Sequence, residues 1–292
     1  MKKIKVRVPA TSANLGSGFD CSGLALELYN VFEYEVIEKG LIIEGCDKEY
    51  ANEHNLAYVA YKAVCDKIGV DSSVKITILE TNVPVSRGLG SSATMICSGA
   101  YAANKLHGLR LSWNEVFKIC NDIEGHPDNV APALFGSFCT SVVDHERPYT
   151  VRTTVSNKIH ITALIPDFEV KTTDARAVLP ERISREDAIY NMSRIALLAS
   201  AFKSGDFALL KTVTKDRLHQ KYRKKLFKNI EEIEAIAKEC GATSFMISGA
   251  GSTCLCISKK PIEKELNERI KSLPNGWVAK ELRISKNGTK EV

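Results

Sequence analysis

The segment from 84 to 94 has the residue types and spacing of a loop that binds phosphate. It consists of Pro84, Val85, Ser86, Arg87, Gly88, Leu89, Gly90, Ser91, Ser92, Ala93 and Thr94. Its glycines lack a Cβ, so the backbone can turn tightly and come close to a ligand. Ser91–Leu106, rich in Ala and Met, predicts a helix, and the unpaired N–H groups at a helix N-terminus attract phosphate. The segment therefore predicts a phosphate cradle, one without the lysine of a P-loop.

Two other interpretations of this loop remain open. A glycine- and serine-rich stretch before a helix is often only a turn. Gly88 to Ala93 also fits the G-x-G-x-x-G/A dinucleotide fingerprint. That fingerprint should follow a strand directly and precede an acidic residue by about 20 positions. Here the predicted strand Val74–Leu79 ends well before the glycines and the next acid is Glu115, so the dinucleotide interpretation is weak.

A second candidate site lies at 124–129, where Glu-Gly-His-Pro-Asp-Asn brings two carboxylates, an imidazole and an amide close together. Such a group suits Mg²⁺ binding, substrate orientation or proton transfer. The plainer alternative is that Asp128 and Asn129 only begin a helix and that His126 is an ordinary loop histidine.

Two further segments carry polar residues or glycines that periodicity does not explain. The stretch 9–20 follows the predicted strand 4–8 as a loop, and loops on a rigid scaffold often carry function. The glycine-rich turn 248–254 lies between two apolar strands and is also compatible with a plain hairpin. A basic run follows helical spacing and predicts a solvated face that could lend one cation to an anionic substrate. It comprises Lys221, Arg223, Lys224, Lys225 and Lys228.

The elements that must position these segments mix strands and helices without strict alternation, which predicts an α+β chain. Predicted strands cover 4–8, 29–38, 74–79, 142–151, 159–165, 244–248, 253–258 and 277–284. Predicted helices cover 55–68, 91–106, 112–124, 184–203, a segment ending near Cys240, and 262–273. Ser112 and Glu115 form a capping box. A domain boundary is expected near residue 155.

The composition excludes several classes of function. The 292 residues are 44% hydrophobic and 26% charged, with a net charge of +5. The basic residues are dispersed and lack interleaved aromatics, which argues against nucleic-acid binding. The nine cysteines contain no C-x-x-C pair, as expected for free thiols in a reducing cytosol. No apolar run is long enough for a membrane span, and the N-terminus alternates like a strand and not like a signal peptide.

Taken together, these segments resemble the GHMP kinases. Residues 84–93 are similar to that family's P-x-x-x-G-L-G-S-S-A motif, and 248–253 to its C-terminal glycine-rich motif. Ser252 departs from the family's usual proline and Ser86 from a frequent glycine, but neither change removes a backbone donor. The resemblance implies an ATP-binding N-terminal domain (1–155) similar to domain 2 of ribosomal protein S5. It also implies a ferredoxin-like C-terminal domain (156–292), with the active site between the two and with ATP and Mg²⁺ bound there.

Within the family the chain is most similar to the members that act on homoserine. This resemblance rests on residues 9–16, 18–20, 126–132 and 174–180. It implies a cytoplasmic phosphotransferase with an alcohol acceptor, which converts L-homoserine to O-phospho-L-homoserine on the route to threonine, with a homodimer as one option. The alternatives are another small-molecule kinase of the family, such as a mevalonate kinase, and a catalytically silent regulator.

The resemblance also assigns roles to residues. Ser92 (or Ser91) and Glu124 would hold Mg²⁺, since hydroxyl and carboxylate oxygens suit this cation. The expected substrate-binding residues are Asn14, Asp20, His126, Arg176 and Arg223. Among them Asp20 would meet the ammonium and the two arginines the carboxylate. The expected catalytic residues are Asn14, Asp128 and Asn129. Either Asp128 is the base, or Asn129 orients the hydroxyl while a phosphate oxygen receives the proton, and the second account is favoured.

Overall fold

The structure, a computed structural model, describes residues 2–292 and contains two β-sheets flanked by helices. The strands are β1 (Lys3–Ala13), β2 (Ser22–Val36), β3 (Leu41–Glu44), β4 (Val74–Thr81), β5 (Phe138–Asp144), β6 (Arg147–Thr153), β7 (His160–Ile165), β8 (Ala242–Ile247), β9 (Cys254–Ser258), β10 (Val278–Leu282) and β11 (Lys290–Glu291). The α-helices are α1 (Leu56–Ile68), α2 (Ser91–Leu106), α3 (Trp113–Glu124), α4 (Pro127–Phe135), α5 (Thr172–Ala177), α6 (Arg185–Ser204), α7 (Phe207–Val213), α8 (Gln220–Arg223), α9 (Ile230–Glu239) and α10 (Glu263–Ile270).

The first sheet is built on the long antiparallel pair of β1 and β2. Its path is β11-β1-β2-β4-β3, and β5 extends from β2 with β6 at its edge. The helices α1 to α4 pack against one another, and α2 and α4 pack on β1. Helix α2 runs through the middle of this layer, and most of its side chains are buried. The N-terminus of α2 is therefore held on a rigid support.

The second sheet is antiparallel, in the order β10-β7-β9-β8. One of its faces shares a core with the first sheet, where Leu24 and Phe138 join Ile161 and Leu255 in a single apolar cluster. A separate apolar cluster includes residues of α9, α10 and this sheet. The chain then returns to the first sheet, where β11 pairs with β1. The boundary near residue 155 stays a prediction.

The predicted α+β class is confirmed, and so are most of the long elements. Ser112 and Glu115 form the predicted capping box. The strand predicted at 142–151 is wrong, because the polar residues His145 and Glu146 adopt positive φ and turn the chain between β5 and β6. Positive φ at both central residues is typical of the two-residue hairpin turn that suits strand twist.

The predicted end of the first strand is also wrong. β1 continues through Pro9 to Ala13, so only the end of the stretch 9–20 is a loop. The register with β2 shifts between Pro9 and Ala10, where proline has no N–H to give to a ladder. Several short elements, among them β3, α5, α7, α8 and β11, were not predicted from periodicity.

The cysteines form no disulfide bonds within residues 2–292. All nine are free thiols, and Cys21 and Cys46 are the two that are not fully buried. Within residues 2–292, no helix combines the length and the apolar character needed to cross a membrane.

Candidate active site

A cavity of about 1250 Å³ lies where the two sheets and their loops meet. One wall is formed by the loop before α2 and by Glu124, His126 and Asn129. Another is formed by Asn14, Arg176, Arg223 and residues 249–251. The cavity therefore brings together residues from both glycine-rich loops and from each of the other polar segments singled out in the sequence.

The two glycine-rich loops are bonded directly to each other. Ser248 Oγ donates to the carbonyl oxygen of Gly88 at 2.6 Å, and the Thr253 N–H donates to the Arg87 carbonyl at 3.1 Å. The Arg87 side chain turns away from the phosphate cradle. Its Nη2 donates to the Asp167 carbonyl at 2.9 Å, and its Nη1 lies 3.0 Å from a Glu169 carboxylate oxygen. The second loop and the segment after β7 thus hold the first loop in place.

Gly88 is the point of closest approach between these loops. Its φ is +69°, and a Cβ at this position would lie 2.2 Å from the carbonyl oxygen of Ser248. Gly90, which precedes α2, has a φ of +70°, and its Cβ would lie 1.9 Å from Oγ1 of Thr11. Only glycine can satisfy both the backbone conformation and the spacing.

We expect Gly88→Ala to lower both the stability of the protein and its affinity for nucleotide. Gly69→Ala is the matched control, because Gly69 has the same φ of +69° but nothing within 4 Å of its Cβ position. The control should cost about 1–2 kcal/mol of unfolding free energy through backbone strain alone. Gly88→Ala should cost about 1–3 kcal/mol more through overpacking. Denaturant unfolding and KM for ATP measure the difference, and equal effects of the two variants would contradict the account.

Ser92 and Glu124 form a pair of oxygen donors beside the phosphate cradle. Ser92, in the first turn of α2, donates to Oε1 of Glu124 at 2.8 Å. Burial raises the pKa of the Glu124 carboxyl, and the Ser92 hydrogen bond opposes that effect only in part. Residues 2–292 contain no group of three or more His, Cys, Asp and Glu side chains placed to hold a metal. A cation here would share its coordination with phosphate oxygens and water, as Mg²⁺ commonly does.

His126 and Asp128 form a second close pair, with 2.6 Å between Nδ1 and Oδ1. Burial by itself lowers the pKa of His126, but the hydrogen bond to Asp128 and the carboxylate charges outweigh it, so the pKa is raised overall. Asp128 is buried and is not among the residues that line the cavity. Its second carboxylate oxygen, Oδ2, has no hydrogen-bond partner within residues 2–292.

Asn129, in contrast, lines the cavity beside Gly90. Thr11 donates from Oγ1 to Oδ1 of Asn129 at 2.7 Å. Within residues 2–292 Nδ2 of Asn129 forms no hydrogen bond, so this donor is available to a ligand. Asn14 is arranged in the same way, since its Oδ1 accepts the Asp20 N–H at 2.8 Å. Both amides can donate to an oxygen atom that reacts between them and the phosphate cradle.

Asp20 and Arg176, expected to bind opposite ends of one ligand, are paired with each other. Two hydrogen bonds of 2.9 and 3.1 Å join the guanidinium to the two carboxylate oxygens. The side chain of Arg176 is 41% exposed and that of Asp20 34%, so water and ligands can reach the pair. A zwitterion could replace each partner with its own opposite charge.

Arg223 corrects the prediction that the basic run is a solvated face, because it is only 1% exposed. It lies at the end of a short helix whose register turns it inwards, while Lys221 remains on the surface. Burial lowers the pKa of Arg223 to about 10, so the side chain stays charged at neutral pH. It is the one member of the run that lines the cavity.

Not every residue that was predicted for the site from the sequence lines the cavity. Leu89, Ala93 and Thr94 are buried in the core, whereas Val85 to Gly88 and Gly90 to Ser92 line the cavity. The segment 45–56, which was not predicted from the sequence, lines the same cavity through Cys46, Tyr50 and Asn55 among others. The signal for it was weak: a polar stretch before α1, where Asn55 caps the helix.

Comparison with known proteins identifies the family of this chain. A family model described as "GHMP kinases N terminal domain" matches residues 55–137, and one described as "GHMP kinases C terminal" matches 198–272. A homoserine kinase of Clostridium botulinum (strain 657 / Type Ba4) is 44% identical over 98% of this chain and 97% of its own length. One from Clostridium beijerinckii is 44% identical over 91% of this chain and 89% of its own.

A solved structure agrees. The crystal structure of homoserine kinase from Cytophaga hutchinsonii has a TM-score of 0.91 and 26% identity, covering 100% of this chain and 98% of that one. The family matches cover both halves of the chain, and the curated relatives extend over nearly its whole length. The chain belongs to the GHMP kinase family.

Proposed function

We propose that this protein transfers the γ-phosphoryl group of ATP to the hydroxyl of L-homoserine and forms O-phospho-L-homoserine. The observation that carries the proposal is the cavity itself. A phosphate cradle with a Ser92–Glu124 oxygen pair lies on one side, and Arg176 and Arg223 lie on the other, where Asp20 is bonded to Arg176. The curated relatives of nearly full length carry the same activity in their names. The free thiols support placing the reaction in a reducing cytoplasm.

The loop before α2 supports the phosphate half of the reaction. The free N–H groups in the first turn of α2 lie at the positive end of the helix dipole and would bind the phosphates. Ser92 and Glu124 would hold Mg²⁺, whose positive charge would offset charge on the transferring phosphoryl group. The paired oxygens of these two residues fit a hard cation that keeps water ligands.

The opposite side of the cavity supports a zwitterionic acceptor. The substrate ammonium would take over the oxygens of Asp20, which releases Arg176 to bind the carboxylate together with Arg223. A guanidinium matches a carboxylate with two parallel hydrogen bonds. A ligand with both charges leaves the net charge of the site unchanged when it opens the Asp20–Arg176 pair, whereas a ligand with one charge leaves a partner unpaired.

At the reacting hydroxyl we favour orientation by amides over proton removal by a carboxylate. Asn129 lines the cavity and its Nδ2 forms no hydrogen bond within residues 2–292, while Asp128 is buried and bonded to His126. Nδ2 of Asn129, with help from Asn14, would donate to the hydroxyl oxygen and fix its attack direction. The proton would pass to a phosphate oxygen, because phosphoryl transfer depends on positioning more than on a strong base.

The main alternative is the substrate of another GHMP kinase, such as mevalonate. Mevalonate has a carboxylate for the arginines but no ammonium. If Arg176 turned to bind mevalonate, Asp20 would lose its cationic partner. An unpaired carboxylate in a partly buried site is unfavourable. The acidic residue beside the two arginines therefore favours the amino acid.

The test is a coupled ADP-release assay with Mg-ATP and a panel of matched alcohols. L-homoserine is compared with 4-hydroxybutanoate, which lacks the ammonium, with 3-aminopropan-1-ol, which lacks the carboxylate, and with mevalonate. We expect kcat/KM to fall at least about 100-fold on removal of either charge, corresponding to about 2.7 kcal/mol. Equal turnover of 4-hydroxybutanoate, or faster turnover of mevalonate, would contradict the substrate assignment.

A further inference from the structure

His219 is a buried histidine that the proposed reaction does not use. Its side chain has no exposed surface and lies between two functional segments. Nε2 is 3.0 Å from the carbonyl oxygen of Gly16, and Nδ1 is 3.4 Å from Nη1 of Arg223. Its ring also stacks on Phe19 with 5.2 Å between the centroids. One side chain thus touches both the loop that carries Asp20 and the guanidinium of Arg223.

These two neighbours require one protonation state of the ring. A carbonyl oxygen can only accept and a guanidinium can only donate, so Nε2 must carry the proton and Nδ1 must accept. The groups facing the ring are Asp216, with Oδ1 3.8 Å from Nε2, and Arg223. Burial lowers the pKa of His219, which agrees with a neutral ring.

The contacts of Arg223 hold two of its guanidinium nitrogens in place and leave the third for a ligand. Nε donates to the Ala175 carbonyl at 3.2 Å, and Nη1 donates to the Gly249 carbonyl at 2.8 Å. Within residues 2–292, Nη2 forms no hydrogen bond, and Arg223 lines the cavity. With Nε and Nη1 held in this way, Nη2 is the donor left for a ligand.

Phe19 connects the same ring to the acidic side of the site. The guanidinium carbon of Arg223 lies 5.1 Å from the centroid of the Phe19 ring, and that of Arg176 lies 6.0 Å from it. Phe19 directly precedes Asp20, whose φ of +54° is set within the same loop. His219, stacked on Phe19, therefore contacts the same aromatic ring that both guanidinium groups approach.

We propose that His219 is a positioning residue for the carboxylate of the substrate: it orients Arg223 through Nδ1 and fixes the Gly16–Asp20 loop through Nε2. The proposal rests on the proposed function and extends it to a residue that does not touch the substrate. A purely structural histidine would affect stability and all kinetic constants together. A positioning residue affects the binding of the amino acid more than that of ATP.

The kinetic test compares two substitutions, each of which replaces the hydrogen-bonding role of one of the two ring nitrogens. The amide of Gln can donate to Gly16 as Nε2 does, but it leaves Arg223 without its acceptor. The amide oxygen of Asn can replace Nδ1 and accept from Arg223. We expect His219→Gln to raise KM for L-homoserine about tenfold, with kcat and KM for ATP within about twofold, the pattern of lost binding shared by ground and transition state. His219→Asn should raise it less than about threefold.

His160→Gln is the control, because His160 pairs with Glu281 on the second sheet and does not line the cavity. Unchanged KM for L-homoserine in His219→Gln, or a rise in that variant no larger than in the control, would overturn the proposal. An equal rise in KM for ATP would do so as well, because it would indicate a general structural effect.

A second measurement decides the geometry without any substrate. The ¹⁵N chemical shifts of His219 in the wild-type protein at neutral pH should show a proton on Nε2 and none on Nδ1. The opposite tautomer, or an imidazolium ring, would overturn the proposal. If the wild type does not phosphorylate L-homoserine, the proposed function fails, while the ring measurement still decides whether His219 can accept from Arg223.

Discussion

Asn129→Ala should lower kcat for L-homoserine by about 100- to 1000-fold, the usual loss when one preorganised donor is removed from a reacting oxygen. Asn129 lines the cavity, and because Thr11 holds its Oδ1, Nδ2 is the donor left for a ligand. Removing it leaves the phosphate cradle and the ion pair of Asp20 and Arg176 in place. KM for ATP should therefore stay within about threefold, and steady-state kinetics would show a loss confined to kcat and kcat/KM.

Asp128→Asn is the matched comparison. This substitution keeps the size of the side chain and an oxygen that can accept from His126, but removes any carboxylate base. We expect less than about a tenfold loss of kcat, well below the contribution of about 100- to 10,000-fold that a general base makes. A large loss with Asp128→Asn and a small one with Asn129→Ala would contradict the mechanism and favour Asp128 as the base.

Glu124→Gln should lower kcat/KM for Mg-ATP by about 100-fold, corresponding to about 2.7 kcal/mol. The amide keeps the shape of the side chain and can still accept from Ser92, but it loses the charge that a divalent cation needs. A titration with Mg²⁺ at fixed ATP should show a higher requirement for the metal. Ser92→Ala should have a smaller effect, because water can take the place of a neutral hydroxyl ligand. Unchanged Mg²⁺ dependence in Glu124→Gln would contradict this assignment.

The pH profile provides a further check on Glu124. Burial raises the pKa of this carboxyl, so at a given acidic pH more of it is protonated than of an exposed glutamate. The protonated form is a poor cation ligand, and kcat/KM for Mg-ATP should fall as the pH drops through the raised pKa. Glu124→Gln should remove that acidic limb from the profile. If the acidic limb persists unchanged in Glu124→Gln, a group other than Glu124 causes it.

Much of the phosphate-binding side of the site could be predicted, because the sequence patterns that indicate it are local. The glycines before α2 have positive φ, as tight turns and close approach require. The capping box at Ser112 lies within one turn of helix, so sequence alone identifies it. Ser92 and Glu124 were paired by resemblance, and the structure places them 2.8 Å apart although they are 32 positions apart in sequence.

The acceptor half depended on long-range packing that periodicity does not encode. Arg223 looks like any other member of a basic run, and only the inward turn of its short helix buries it. Asp20 and Arg176 lie 156 positions apart, so no local pattern predicts that they pair with each other. His219 was overlooked for the same reason, because its meaning depends on contacts with Gly16 and Arg223.

Identification of the product is the decisive test of phosphoryl transfer to L-homoserine. Purified protein is incubated with Mg-ATP and L-homoserine, and the mixture is followed by ³¹P NMR together with mass spectrometry of the amino acid. We expect one phosphomonoester resonance that grows in step with ADP and an amino acid that gains one phosphoryl group. ADP accompanied only by inorganic phosphate, with no phosphorylated amino acid, would contradict the account.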